Sequence, residues 1–235
     1  MIREAIVLAA GEGRRLRPLT ERWPKPVLPI DGRPVLATLL LELAAAGIER
    51  ATVVTSYGAE AIERLVAAPG AFPLEVRLAR QVAPNGSAGA ALHGLAAGAA
   101  APALLVAADT VFTRGDLGAF AAAFAASDAD GAIAGRRDPP PSPPHRYALR
   151  VEGGRVTRVF DDDPANPLAS APLWALRDPL VPLLGLDNAP FELGRAFQRA
   201  VDEGMTILGV EIGRTRDLTR PVDLIEENFP YLRGL

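Results

Sequence analysis

The chain has 235 residues, 49% of them hydrophobic, enough for one large α/β domain with a well-buried core. Its 25 basic and 28 acidic side chains leave a net charge of −3 and a pI near 5.5, which excludes a protein built to coat nucleic acid or an acidic membrane. Cysteine is absent, so disulfides, a thiolate nucleophile and cysteine-ligated metals are excluded as well.

Apolar runs rich in β-branched residues alternate with alanine-rich stretches of helical spacing. Ala5 to Ala9 predicts a buried strand, and Val35 to Ala46 a helix stopped by Gly47. Ala51 to Ser56, Leu74 to Arg80, Ala103 to Ala108 and Gly131 to Arg136 read as further strands. Helices at Ala59 to Ala67, Ser87 to Ala99 and Leu117 to Ala126 separate them. This rhythm predicts an α/β fold: a Rossmann-like, mainly parallel mixed sheet with helices on both faces. Ligands of such sheets sit beyond the carboxyl ends of the strands. Asp138 to Pro144 (DPPPSPP) reads as a stiff polyproline-like connector. Tyr147 to Phe160 follows as a hairpin turning at Gly153-Gly154. A short strand around Leu173, a helix from Glu192 to Glu203 closed by Gly204, a strand from Thr206 to Ile212 and a last helix opened by Pro221 complete the pattern. No basic, apolar and cleavable leader is read at the N-terminus, and no apolar run reaches the ~20 residues that span a bilayer. A soluble, cytoplasmic protein without membrane or nucleic-acid partners is therefore expected, and a homo-oligomer is compatible with the sequence.

The stretch Leu8 to Ile30, LAAGEGRRLRPLTERWPKPVLPI, carries the densest chemistry. A strand runs into Gly11-Glu12-Gly13, where glycines permit positive φ and close approach of backbone N–H groups to an anion. Arg14, Arg15 and Arg17 add fixed positive charge, so the loop suits a polyphosphate, although a surface turn with solvated arginines has the same composition. A Rossmann fingerprint would need glycine at Leu16, and a Walker A loop would need Gly-Lys-Ser/Thr. Pro24-Lys25-Pro26 follows. Lys25 is the one lysine beside 24 arginines. A position that keeps lysine in such a chain points to a need for a compact ammonium.

LAAGxGxRLxPLT followed closely by PKPxLPI resembles the catalytic domain of the sugar-1-phosphate nucleotidyltransferases. The resemblance implies the nucleotide-diphospho-sugar transferase fold and a single domain over residues 1–235. Residues 1–137 would form its nucleotide-binding half and 145–235 its acceptor-binding half. It also implies Arg15 and Lys25 as a phosphate-binding catalytic pair, with Leu8, Ala10, Gly11 and Gly13 cradling the nucleotide. Arg14 stands where many relatives carry threonine or serine and joins this nucleotide-binding set.

Gln81, followed by Gly86-Ser87-Ala88, sits between a strand and a helix. A carboxamide offers one donor and one acceptor, matching a pyrimidine imide edge, and the segment is similar to the family's base-binding loop. UTP or dTTP is therefore the expected donor, with Gln81, Gly86 and Ser87 reading the nucleotide; an exposed loop glutamine before a capped helix has the same sequence. Asp109 directly follows a buried strand, which places a carboxylate in the crevice or merely caps a turn. The resemblance makes it a magnesium ligand together with Asp217, in the stretch RDLTRPVDL; Mg²⁺ prefers hard oxygens shared with substrate phosphates. Asp223 of that stretch reads as a solvated first-turn acid.

On the acceptor side, many relatives carry Glu-Lys-Pro where this chain has Asp161, Asp162 and Asp163, read as a solvated loop. Glu192 and Trp174 are the candidate acceptor-binding residues, with N-capping an equal account of Glu192. Trp23 reads as core or as packing beside the phosphate loop, and neither His93 nor His145 has a partner that argues for catalysis. The expected partners are an NTP and a phosphorylated small molecule, with Mg²⁺ as cofactor. A choline-phosphate-type cytidylyltransferase and a catalytically silent nucleotide-sensing homologue are the alternatives. No hexapeptide repeats occur, so the acyltransferase activity of some larger relatives is not expected.

Overall fold

The structure, a computed structural model, describes residues 1–67, 70–141, 148–186 and 189–229. The chain opens with β1 (Glu4–Ala9), α1 (Leu19–Arg22) and the small hairpin β2 (Pro29–Ile30) and β3 (Arg33–Pro34). Next come α2 (Val35–Ala45), β4 (Arg50–Thr55), α3 (Ala59–Val66), β5 (Glu75–Arg80), α4 (Gly86–Ala96) and β6 (Ala103–Ala107). β7 (Thr110–Phe112), α5 (Asp116–Ala126), β8 (Gly131–Arg136), β9 (Ala148–Glu152), β10 (Arg155–Asp161) and β11 (Ala169–Leu176) follow. After a 3-10 segment, Asp178–Gly185, the chain ends in α6 (Leu193–Asp202), β12 (Ile207–Glu211), β13 (Thr215–Asp217) and α7 (Pro221–Asn228). The β9–β10 hairpin turns at Gly153 and Gly154, both at positive φ as a tight turn requires. The end of the expected connector, His145 and the first residue of the expected hairpin, Tyr147, lie outside the described residues.

Among the described residues, nine strands form one sheet in the order β5-β4-β1-β6-β11-β8-β12-β10-β9. β5, β4, β1 and β6 are mutually parallel, as are β8 and β12. β11 runs antiparallel between β6 and β8, and β10 is antiparallel to both β12 and β9. The first half is thus the expected crossover architecture, and the second half mixes directions.

Alternation along the strands divides the core between the two faces. Ala5, Val7, Val53, Leu104, Val106 and Ala132 pack with Leu36, Leu40 and Phe120 of α2 and α5. Ile6, Val54, Leu105 and Ile133 pack on the other face, with Ala91 of α4, Phe197 of α6 and Leu180 of the 3-10 segment. None of the described helices is long and apolar enough to cross a membrane.

Helix α4 lies close on β1 because Gly94 carries no side chain: a Cβ there would stand 2.6 Å from Cγ2 of the fully buried Ile6. Gly94→Val should therefore cost about 1–3 kcal/mol by overpacking, read as a lower midpoint in urea unfolding, even though glycine is itself a poor helix former.

Candidate active site

β1 and β6 lie side by side and parallel, with Leu8 opposite Ala107, so both chains leave the sheet at one edge. Beyond β1 the Gly11–Gly13 loop turns into a 3-10 segment, Arg14–Leu16. Gly13 sits at φ +63, and a Cβ there would stand 2.9 Å from Thr20 Cγ2. The Thr20 hydroxyl donates to the Gly13 carbonyl at 2.9 Å. A Cβ at Gly11 would meet nothing within 4 Å, so this backbone borders open space that a ligand can occupy. Leu16 is 1% exposed and anchors the loop in a small cluster with Leu28, Ile30, Val35 and Leu218. Arg14 is drawn off by Glu12 through bonds of 2.7 and 3.2 Å, and Arg17 lies 3.8 Å from the same carboxylate. Arg15 is exposed and makes no ion pair among the described residues, which leaves its charge for a ligand.

Lys25 is only 9% exposed. It opens a 3-10 turn between Pro24 and Pro26, and Pro24 fits against Gly58, where a Cβ would stand 2.9 Å from the proline ring. The Lys25 ammonium donates to Oδ2 of Asp109 at 2.6 Å. Thr110 pairs with Asp217 across the antiparallel β7–β13 ribbon, which brings the second carboxylate beside the first. The Thr219 hydroxyl donates to Oδ1 of Asp217 at 3.1 Å, and fully buried Leu218 fixes the segment between them. Arg136 points its guanidinium at the Thr215 hydroxyl, and its Nε is buried without a partner. Burial pulls the Arg136 guanidinium below its usual range, while the nearby charges of Asp217 and Asp138 act in the opposite direction.

Several of these groups line a cavity of about 450 Å³. Leu8, Ala10, Gly11, Gly13, Arg14, Arg15, Lys25 and Asp109 line it, together with Gly86, Ser87, Glu192 and Trp174. Pro84 and Thr219 also line it, as does Leu218; the sequence marked none of the three as a site residue. Thr20, Gly58 and Arg136 escaped notice too, because their roles exist only through contacts with residues far away in sequence.

Two expected members stand apart. Gln81 does not line the cavity: its N–H extends the β4–β5 ladder to the Thr55 carbonyl, and its Oε1 is buried without a partner. Asp217, paired with the neighbour of Asp109, does not itself line the cavity, although Leu218 and Thr219 do. Glu192 makes no side-chain capping bond to its own helix α6. It bonds Ser87 instead, at 2.5 Å. Trp174 borders the cavity from β11, with its indole N–H buried and unpartnered.

Three further expectations are corrected. Asp223 is no solvated acid: its Oδ2 accepts from the Thr219 and Arg220 N–H groups at 2.8 and 2.7 Å and closes the start of α7. Trp23 is 53% exposed and belongs to no core. The acidic run is not a solvated loop. Asp161 ends β10 with its side chain 1% exposed, bonded to Asn166 Nδ2 at 2.7 Å and to Arg150 at 3.1 Å. Asp163 shares Arg150 at 3.2 Å and is partly exposed, and Asp162 faces water beside Arg158.

A family model described as Nucleotidyl transferase matches residues 4–170. The chain belongs to this family. It is 42% identical over 86 residues to a mannose-1-phosphate guanylyltransferase of Mycobacterium tuberculosis, a match covering 37% of this chain and 24% of that protein. A UTP–glucose-1-phosphate uridylyltransferase of Haloferax volcanii is 48% identical over 59 residues, 25% of this chain and 24% of the relative. A 2-aminoethylphosphonate cytidylyltransferase of Lancefieldella rimae is 45% identical over 53 residues, 23% of this chain and 22% of the relative. The matched stretch thus spans about a quarter of each of these curated relatives. A UDP-glucose pyrophosphorylase solved with UDP-glucose superposes over the whole of both chains with a TM-score of 0.84 at 20% identity. An inositol-1-phosphate CTP transferase from T. maritima gives 0.79 at 22% identity over 94% of this chain and 91% of that one. These two likenesses show the fold.

Burial alone would raise the Asp161 carboxyl, but hydrogen bonds from Asn166 and Arg150 outweigh it and hold the group below the usual carboxylate range. A depressed folded value contributes stability that is complete above the unfolded value, near pH 4, and is lost as pH falls through the folded one. Arg150→Ala should therefore destabilise the fold at pH 7, with the gap to wild type closing below about pH 4. Urea unfolding at both pH values measures it, and a gap independent of pH would show that the Asp161 contact is not its source.

Proposed function

We propose that this protein transfers a nucleotidyl group from an NTP to a sugar-1-phosphate, forming a nucleotide sugar and pyrophosphate. The observation that carries the reading is the convergence of the Gly11–Gly13 loop, Arg15 and the Lys25–Asp109 pair on one cavity, with Asp217 beside it. The activities of the three named relatives support it: all move a nucleotidyl group onto a phosphorylated or phosphonylated small molecule, and they differ in the base. UTP or dTTP is the expected donor. Its support is the Gly86–Ser87 turn at the cavity; Gln81, set back from it, would have to move to read a base.

The attacking oxygen of a sugar-1-phosphate is already ionised, so no general base is required. The obstacle is repulsion: two unit negative charges at ~4 Å cost about 4 kcal/mol at an effective dielectric near 20. Positioning and positive charge must supply the rate. The loop amides and the unpaired Arg15 receive the triphosphate, and Lys25 approaches the reacting phosphates from its proline-stiffened turn. The Lys25 ammonium is bound to Asp109. An arriving phosphate competes for that ammonium and releases Oδ2 of the carboxylate.

The donor set fits Mg²⁺. Asp109 and Asp217 offer hard oxygens: Lys25 donates to Oδ2 of Asp109, with a longer 3.5 Å contact from the Thr110 hydroxyl to its Oδ1, and Thr219 donates to Oδ1 of Asp217. No group of three or more His, Cys, Asp or Glu residues stands ready as a complete cage among the described residues. Two carboxylates that leave the remaining ligand positions to phosphate oxygens and water are the arrangement this ion prefers. Bound there, Mg²⁺ would neutralise the charge that develops on the leaving pyrophosphate.

A second reading, cytidylyl transfer to an aminoalkyl phosphate or phosphonate, is favoured by one observation. Asp161 to Asp163 offer no cation where many sugar-phosphate enzymes carry a lysine, and Asp162 faces water. Pyrophosphate release from five NTPs against a panel of sugar phosphates and aminoalkyl phosphates separates the two readings, and a preference for ATP or GTP would remove the pyrimidine assignment.

Lys25→Arg should lower kcat by 10²–10³, about 2.7–4 kcal/mol, because a forked guanidinium cannot replace a compact ammonium in a buried slot. Activity within about threefold of wild type, below ~0.7 kcal/mol, would make the lysine dispensable. Asp109→Ala and Asp217→Ala should each abolish turnover while circular dichroism stays native; retained activity of both variants in EDTA would remove the metal assignment. Lys25→Gln should bind Mn²⁺ more tightly than wild type in nucleotide-free buffer, measured by electron paramagnetic resonance, since Asp109 is then unmasked.

A further inference from the structure

Two helix starts that border the cavity are joined by a reciprocal contact. Asn85 and Glu192 stand at the N-cap positions of α4 and α6, and neither side chain caps its own helix. They are capped crosswise. Oε2 of Glu192 accepts from the Ser87 hydroxyl at 2.5 Å and from the Ser87 N–H at 3.3 Å, in the first turn of α4. The Ser87 oxygen in turn accepts from the Leu193 N–H at 2.9 Å, in the first turn of α6. Backbone bonds close the seam: Phe191 N–H donates to the Asn85 carbonyl at 3.0 Å, and the Phe191 carbonyl accepts from the Ala88 N–H at 2.8 Å. Gly86 is the point of contact. At φ +83, a Cβ there would stand 2.2 Å from the Phe191 carbonyl oxygen.

First-turn N–H groups have no partner within their helix and carry the positive end of its dipole, so a carboxylate placed there holds the turn firmly. We propose that Glu192 is a positioning residue for the nucleotide: through Ser87 it holds the Gly86–Ser87 turn in the shape that receives the donor, and it is not primarily a ligand of the acceptor. This rests on the reading that the turn faces an NTP. Glu192, Gly86 and Ser87 all border the same cavity, so the state of the clamp is felt there directly. Without the carboxylate, the Ser87 N–H and hydroxyl lose their acceptor and the start of α4 loses its only side-chain anchor among the described residues.

The test compares Glu192→Ala, Glu192→Gln and Ser87→Ala in the full chain. In Glu192→Ala, amide exchange at Ser87 and Ala88 should quicken without nucleotide. Calorimetric affinity for the preferred NTP with Mg²⁺, in the absence of acceptor, should fall about tenfold or more, the scale of a lost hydrogen bond to a charged group. KM for the NTP should rise more than KM for the acceptor. Glu192→Gln retains an acceptor oxygen and should recover most of the affinity, which also covers the case in which the alanine variant fails to fold. Ser87→Ala combined with Glu192→Ala should lose no more than the larger single change, since both break one unit. Unchanged NTP affinity, strictly additive losses, or an effect confined to the acceptor KM would overturn the proposal. A wild-type chain that binds no nucleotide overturns this inference and the proposed reaction together. Nucleotide binding that responds as expected while no acceptor is ever converted supports the clamp and removes only the reaction.

Discussion

The 2.6 Å contact between the Lys25 ammonium and the Asp109 carboxylate forms because segments 84 positions apart are delivered to one edge of the sheet. Parallel pairing of β1 with β6 fixes that edge, and every other element of the site is placed relative to it. Behind the lysine, Pro24 rests on the bare backbone of Gly58, so the ammonium cannot retreat without disturbing the entrance to α3. Opposite charges brought this close, the ammonium buried and the carboxylate partly exposed to the cavity, hold each other until a stronger partner arrives. The fold itself thereby holds the ammonium at the cavity.

Around that pair the fold uses a small private core. Leu16, Leu28, Ile30, Val35 and Leu218 form a cluster separate from the two large ones on the faces of the sheet. It draws together the turn that carries Arg15, the strand after Lys25 and the residue that follows Asp217. Arg15 and Asp217 each stand next to a fully buried member of this cluster, Leu16 and Leu218. The precision of the site comes from burial of these neighbours, because exposed charged side chains cannot order themselves cheaply.

The parts of the site that were legible from sequence are those produced by local rules. A strand running into Gly-x-Gly, and an aspartate ending an apolar run, place Gly11, Arg15 and Asp109 without any tertiary information. The β7–β13 ribbon was not legible, since each of its strands has three residues and they meet across about a hundred positions. In sequence Asp161, Asp162 and Asp163 are equivalent. Only Asp161 falls on the inward side of β10 as that strand ends, where Arg150 and Asn166 stand ready for it. The solvated reading of Asp223 and the capping account of Glu192 fail for a related reason: helix-start patterns indicate that an acid is useful there, but not which backbone it will reach. The mixed second half of the sheet likewise escapes a rhythm argument, because β11 enters between two parallel strands with its direction reversed.

The lone lysine also has a practical meaning. With 24 arginines and no other ε-amine, the chain offers amine-directed reagents two targets, the terminus at Met1 and Lys25. Met1 is 95% exposed, whereas Lys25 is 9% exposed and bonded to a carboxylate. Acylation or reductive methylation thus divides into a fast event at the terminus and a slow one at the heart of the cavity. Without any engineered label, the slow event becomes a site-specific clock: its rate reports whether a bound anion has taken the ammonium from Asp109, and a single mass increment on one peptide reads it out.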